Sequence, residues 1–203
     1  MIVIVNYGMG NLHSVLKKLQ FCGADAVVSD DISVIRNASK IILPGVGHFS
    51  MAMENLNKLH LTDVLSECAL VKKTPLLGIC LGMQLMASKS EEGNASGLGW
   101  FDAEVVHFNI SDTLKHKIPH TGWNQISIEK ESPLMKNIES LSSFYFVHSY
   151  HWKTEIKSDI LTATEYEYRF VSAIEKGNIF GVQFHPEKSH DVGELLFRNF
   201  LKL

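Results

Sequence analysis

Cys80 lies in Gly78-Ile79-Cys80-Leu81-Gly82, directly after the apolar run Pro75-Leu76-Leu77. A glycine-flanked thiol between a strand pattern and a helix pattern is the sulfur version of a nucleophile elbow, the sharp turn that lifts one side chain above the end of a sheet. The glycines belong there because the turn crowds the backbone and a Cβ would clash. At the N-terminal end of a helix the thiolate is favoured. Nucleophilic catalysis then needs a base and a group to orient it. Gly181-Val182-Gln183-Phe184-His185-Pro186-Glu187 supplies both: an apolar strand ends in His185, Pro186 stops it, and a carboxylate follows. Cys80 would attack, His185 would take and return the proton, and Glu187 would hold the imidazole tautomer and stabilise the imidazolium. Leu43-Pro44-Gly45-Val46-Gly47 is a glycine-flanked loop after a strand. Its free N–H groups can hold an oxyanion, and the glycines leave the Val46 peptide free to turn.

Those residues need a scaffold. The first half of the chain alternates strands with helices: Ile2 to Val5, Ala26 to Val28, Lys40 to Leu43 and Leu76 to Ile79 read as apolar strands. Between them, Leu12 to Phe21 has helical spacing, a helical segment broken near His60 runs to about Val71, and Met83 to Ala87 begins another helix. Continuous apolar strands separated by helices imply a parallel sheet covered on both faces. The second half reads as shorter strands: Glu104 to Phe108, Asn124 to Glu129, Ser143 to Val147, Leu161 to Glu165, Phe170 to Glu175 and Ile179 to Phe184. Gly177-Asn178 suits a hairpin, Val192 to Leu201 an amphipathic helix, and the polar stretch Ser88 to Gly99 a mobile loop. The expected fold is α/β, an open, mostly parallel central sheet flanked by helices, with additional antiparallel strands in the C-terminal half. With no repeat or linker, residues 1–203 form one domain.

A net charge of -3 indicates no broad attraction to nucleic acid or anionic membrane, and no apolar run is long enough for a membrane span. Three sparse cysteines favour a reducing cytoplasm over a disulfide framework. Cys22 and Cys68 lie in helical patterns and read as inert hydrophobes. The histidines form no compact ligand set: Pro119 interrupts a helix between His116 and His120, and in a strand His148 and His151 point to opposite faces. Trp123 sits in a loop pattern, and tryptophan is enriched at binding hot spots; core packing is the competing explanation for it and for Tyr145.

Cys80-Leu81-Gly82-Met83-Gln84 with His185-Pro186-Glu187 resembles the signature of the class I, triad-type glutamine amidotransferases. Asn6-Tyr7-Gly8-Met9-Gly10-Asn11-Leu12, Pro44-Gly45-Val46-Gly47, Pro119-His120-Thr121-Gly122-Trp123-Asn124, Phe146-Val147-His148-Ser149-Tyr150 and Gly181 to Ser189 are similar to the branch of glutaminase subunits of imidazole glycerol phosphate synthase. The resemblance spans nearly the whole chain. It implies that Cys80 attacks the side-chain amide of glutamine and that His185 serves first as acid and then as base. It implies an oxyanion hole from the Leu81 N–H and the Val46–Gly47 peptide, and glutamine binding by Gly45, Gln84, Ser149 and Tyr150. No cofactor or metal is implied. A (β/α)8-barrel cyclase subunit is implied as heterodimer partner in histidine biosynthesis, with Trp123, Tyr145 and Lys188 at the contact.

The chain departs from this pattern at His48, Ala103, His107, Thr121 and Glu167, where other residues, often glycine, are usual. None touches the triad. A paralogous glutaminase feeding another synthase, such as one that aminates a surface sugar, therefore stands as an alternative. A non-catalytic regulatory module of the same fold is opposed by the intact Cys80, His185 and Glu187.

Overall fold

A computed structural model describes the whole chain, Met1–Leu203. In the N-terminal half β1 (Ile2–Val5), β2 (Ala26–Ser29), β3 (Lys40–Gly45) and β4 (Leu76–Cys80) run parallel in the order β2-β1-β3-β4. They are joined by α1 (Leu12–Phe21), α2 (Ile32–Arg36), and the pair α3 (Phe49–Lys58) and α4 (Leu61–Ser66). The inner strands β1, β3 and β4 are largely apolar because both faces are covered, and their alternate residues feed two separate cores. Val3, Val5, Ile41 and Leu43 join Phe49 and Leu56 on one side; Ile2, Ile4 and Ile42 join Leu19, Phe197 and Phe200 on the other. The expected break at His60 is present, at φ 55. The short α2 escaped the sequence reading because five residues carry too little periodicity; Asp31 starts it by accepting the Ser33 and Val34 N–H groups.

After Cys80 comes α5 (Leu81–Gln84), a single turn. The expected helix over Met83 to Ala87 gives way to tight i→i+3 bonds from Met86 to Met83 and from Ala87 to Gln84. Ser88 to Gly99, expected to be mobile, holds a small hairpin of β5 (Lys89–Ser90) and β6 (Ala95–Ser96). Its β5 is fastened to β7 (Glu104–His107).

The remaining strands are β8 (His120–Gln125), β9 (Ser127–Ile128), β10 (Ser143–His148), β11 (Tyr150–Lys153), β12 (Ile160–Tyr166), β13 (Tyr168–Lys176) and β14 (Ile179–Val182). β14 extends the parallel sheet beside β4, and antiparallel β13 follows through the Gly177-Asn178 hairpin. β8 and β10 form a separate two-stranded ribbon. α6 (His190–Leu201) closes the chain. Two expectations are corrected here. Trp123 sits within β8, opposite Tyr145, instead of in a loop; the strand starts at His120, where a buried histidine stands in for an apolar residue and hides the alternation. His148 and His151 do not share a strand: the chain passes from the ribbon to the main sheet at Ser149, and both rings pack against Phe108.

Candidate active site

β3 and β4 are neighbours in register, with Gly45 beside Cys80 at their C-terminal ends, so the expected oxyanion loop and the expected nucleophile leave the sheet together. Ligand sites of open α/β sheets form at such carboxyl ends. Cys80 adopts φ 53, ψ -109, the lifted conformation of an elbow. Gly82 packs against the Leu43 carbonyl and Gly78 against Gly82, so a Cβ at either would overlap backbone. Because α5 is one turn long, any help to a thiolate comes from its first free N–H groups and not from a long helix dipole.

β14 runs beside β4 and delivers His185 to the same end. The side chains of His185 and Glu187 are buried, and His185 Nδ1 bonds Glu187 Oε1 at 2.8 Å. Burial by itself disfavours the imidazolium; the charge of Cys80 and the Glu187 carboxylate outweigh it, and His185 is pushed up to about 10. His185 Nε2 is buried with no aligned acceptor, so in this resting arrangement the sulfur acts on it by charge and proximity. The backbone of His185 is clasped by the ribbon. Its peptide N–H donates to the Tyr145 carbonyl at 2.8 Å, and Ser189 Oγ accepts the Tyr145 N–H at 3.0 Å while donating to the His185 carbonyl at 2.6 Å.

A cavity of about 270 Å³ opens over Cys80, lined by Val46, Gly47, Leu81, Gln84, Ser149 and Tyr150 among others. Six of the expected site residues thus meet around the sulfur. Gly45 lies beneath the cavity, against the Tyr7 hydroxyl, which donates to the Pro44 carbonyl at 2.8 Å. Burial, and then the charge of Cys80, raise the Tyr7 phenol, so it stays a neutral donor that pins the loop. Gly47, at φ +115, holds a backbone shape suited to glycine. Gln84 commits both amide N–H groups inward, to the Tyr150 carbonyl at 3.1 Å and to Gln183 Oε1 at 2.9 Å. Its carbonyl oxygen is the polar atom left for a ligand.

Glu92 is the carboxylate of this lining, fixed by the Phe49 N–H at 2.8 Å and suited to an ammonium group. The sequence reading missed Glu92, Tyr7, Gln183 and Ser189; each acts on residues far away in the chain, and only the GVQFHPE run hinted at Gln183. Cys22 and Cys68 are buried free thiols raised by desolvation, in keeping with inert packing. A larger open depression of about 500 Å³ beside Lys130, Pro133 and Lys136 lies away from Cys80.

Trp123, Tyr145 and Lys188 converge on one surface. Trp123 is 48% exposed, stacks on His190 with ring centroids 5.0 Å apart, and meets Tyr145 edge-on. The Lys188 ammonium lies 5.5 Å from the Tyr145 ring centre.

The elbow, the histidine–carboxylate pair and the mixed sheet define a thiol-dependent amidotransferase architecture, and the chain belongs to the class-I glutamine amidotransferase family, whose sequence profile (Glutamine amidotransferase class-I) matches residues 3–203. Imidazole glycerol phosphate synthase subunit HisH 2 of Methanococcus maripaludis is 50% identical over 202 residues, covering 100% of this chain and 99% of that one. The protein of the same name from Pseudomonas aeruginosa is 47% identical over 203 residues, with both chains covered completely. Among solved structures, the glutaminase domain of a Trypanosoma brucei protein, CTPS, superposes with a TM-score of 0.70 at 18% identity, over 98% of this chain and 91% of that one, a likeness of fold.

Proposed function

We propose that this chain is a glutaminase subunit that hydrolyses glutamine to glutamate and ammonia and hands the ammonia to a partner synthase in the cytoplasm. The observation that carries the reading is the meeting of Cys80, His185 and Glu187 at one end of the sheet beneath a cavity that also holds Gln84 and Glu92. Glu92 and the Gln84 oxygen take the α-ammonium of glutamine, and its carboxamide reaches the sulfur. Cys80 Sγ attacks the carboxamide carbon, and the Leu81 N–H and the Val46–Gly47 peptide hold the oxyanion. The imidazolium of His185, favoured by its raised pKa, gives its proton to the departing ammonia. Water then attacks the thioester, His185 takes its proton, glutamate leaves and the thiolate returns.

The partner in this reading is the (β/α)8-barrel cyclase of imidazole glycerol phosphate synthesis, docked on Trp123, Tyr145 and Lys188. The relatives' names support a subunit role. No helix is long and apolar enough to cross a membrane. The cytoplasmic placement is supported by three free cysteines, which suit a reducing compartment. Glu167 favours a second reading, a different synthase as ammonia acceptor. At φ 60 it occupies a backbone shape suited to glycine, and its carboxylate accepts from the Ser111 hydroxyl and from the Ser111 and Asp112 N–H groups. That brace fixes the loop leading to Pro119 at the cavity rim.

The test is glutamate release by the purified chain alone and with each candidate synthase carrying its acceptor substrate. Stimulation by the cyclase supports the first reading, and stimulation only by another synthase selects the second. Cys80→Ala should abolish glutamine-dependent synthesis while synthesis from free ammonia survives; glutamine-dependent turnover in that variant would refute the mechanism.

A further inference from the structure

Gln183 follows β14, is fully buried, and reaches the nucleophile: its Nε2 lies 3.5 Å from Cys80 Sγ and its Oε1 2.9 Å from Gln84 Nε2. Neighbours that cannot reverse their roles fix which end of this amide faces the sulfur. The Tyr150 carbonyl can only accept, so Gln84 must turn its nitrogen toward it. The other N–H of that nitrogen goes to Gln183, whose oxygen therefore faces Gln84 and whose nitrogen faces Cys80. The Tyr150 carbonyl also accepts His148 Nδ1–H at 2.8 Å. His148 Nε2 then accepts from His120 Nδ1 at 3.0 Å, and His120 Nε2 from Asn124 Nδ2 at 3.2 Å. Burial lowers both imidazoles, with His116 adding to the effect on His120 and His120 to that on His148, so both rings stay neutral and the polarity of the chain is preserved.

We propose that Gln183 is a catalytic residue whose amide N–H donates to Cys80 Sγ and favours the thiolate, while Gln84, held in turn by the Tyr150 carbonyl, keeps that amide from reversing. The assignment rests on Cys80 being the nucleophile. The groups that face the sulfur pull in different directions. The Val147 carbonyl, 3.9 Å away, opposes a negative sulfur. The Tyr7 phenol is engaged with Pro44. His185, backed by Glu187, supplies positive charge, and Glu92 is a further carboxylate in the lining. An amide fixed as a donor offsets the carbonyl before any substrate arrives.

The experiment uses the full chain without glutamine or a partner. Alkylation of Cys80 by iodoacetamide is followed under these conditions by peptide mapping across the pH range, and glutamate release is measured in separate samples that contain glutamine and each candidate synthase. Gln183→Met removes the donor at similar volume, and Gln183→Glu replaces it with an acceptor of the same shape. Each should slow alkylation at neutral pH by about tenfold and move the alkylation profile to higher pH. A wild-type rate and profile in either variant that melts cooperatively overturns the assignment. In the wild-type chain the side-chain amide resonance of Gln183 should shift once Cys80 is alkylated, and an unmoved resonance overturns it as well. An effect of Gln183 on the thiol in a chain that releases no glutamate even with each candidate synthase and its acceptor substrate present would remove the glutaminase reading and leave this assignment standing.

Discussion

At the scale of single residues, the proposed nucleophile sits under conformational strain. Cys80 holds φ 53, ψ -109, a region that L-residues other than glycine avoid. Glycine in a strand usually destabilises relative to alanine, yet here it relieves the backbone. Cys80→Gly should therefore be more stable than Cys80→Ala by about 1 kcal/mol. Denaturant unfolding of the two inactive variants checks this, and the ordinary order, alanine above glycine, would remove the strain account. The base next to it makes a second prediction. His185 is raised from an ordinary 6.5 to about 10, partly by the charge of Cys80. Its pairing contributes stability that is fully present below about pH 6.5 and is lost as pH rises through about 10. Removing the sulfur in Cys80→Ala should lower the titration midpoint of the His185 ring, read by NMR, and narrow that window from its alkaline side.

At the scale of elements, the β8–β10 ribbon couples two kinds of chemistry. His120 and His148 face each other across it and are held neutral, His120 at about 4. The unfolded chain binds protons on these rings below about pH 6.5 while the folded chain does not, so stability falls as pH drops from there toward about 4. A His120→Leu/His148→Leu double variant should show a flatter acid limb in urea unfolding; an identical limb would place the acid sensitivity elsewhere. Ser189→Ala frees the Tyr145 N–H and the His185 carbonyl, and should cost about 1–2 kcal/mol of stability and lower kcat more than it raises KM.

Much of this was legible in the chain itself. The parallel half could be read because long apolar runs separated by helical periods admit few arrangements, and the triad because the elbow and GVQFHPE carry their spacing locally. The ribbon was not legible in full. His120 occupies a core position that sequence patterns reserve for apolar residues, and Trp123 looked like loop because Pro119 and Gly122 flank it. Glu92, Tyr7 and Ser189 act through partners 37–44 residues away in the chain, a distance at which spacing carries no signal.

At the scale of the whole molecule, Trp123, Tyr145, Lys188 and His190 form a surface cluster, with Lys188 next in the chain to Glu187. Trp123→Ala should weaken binding of the partner synthase by at least tenfold, a loss of about 1.4 kcal/mol or more, with the thermal midpoint of the free chain little changed. Unaltered affinity by calorimetry would move the docking face elsewhere. Tyr145 joins this surface to the candidate site: its half-buried ring meets Trp123, while its backbone N–H and carbonyl are both bonded to the segment that bears His185. A descendant of this chain could exchange its rings for others and court a new acceptor, but any pressure at position 145 would still be felt one hydrogen bond from the base. In the proposed docking, recognition and turnover share the backbone of one residue, so a loss of one by mutation should seldom be found without some loss of the other.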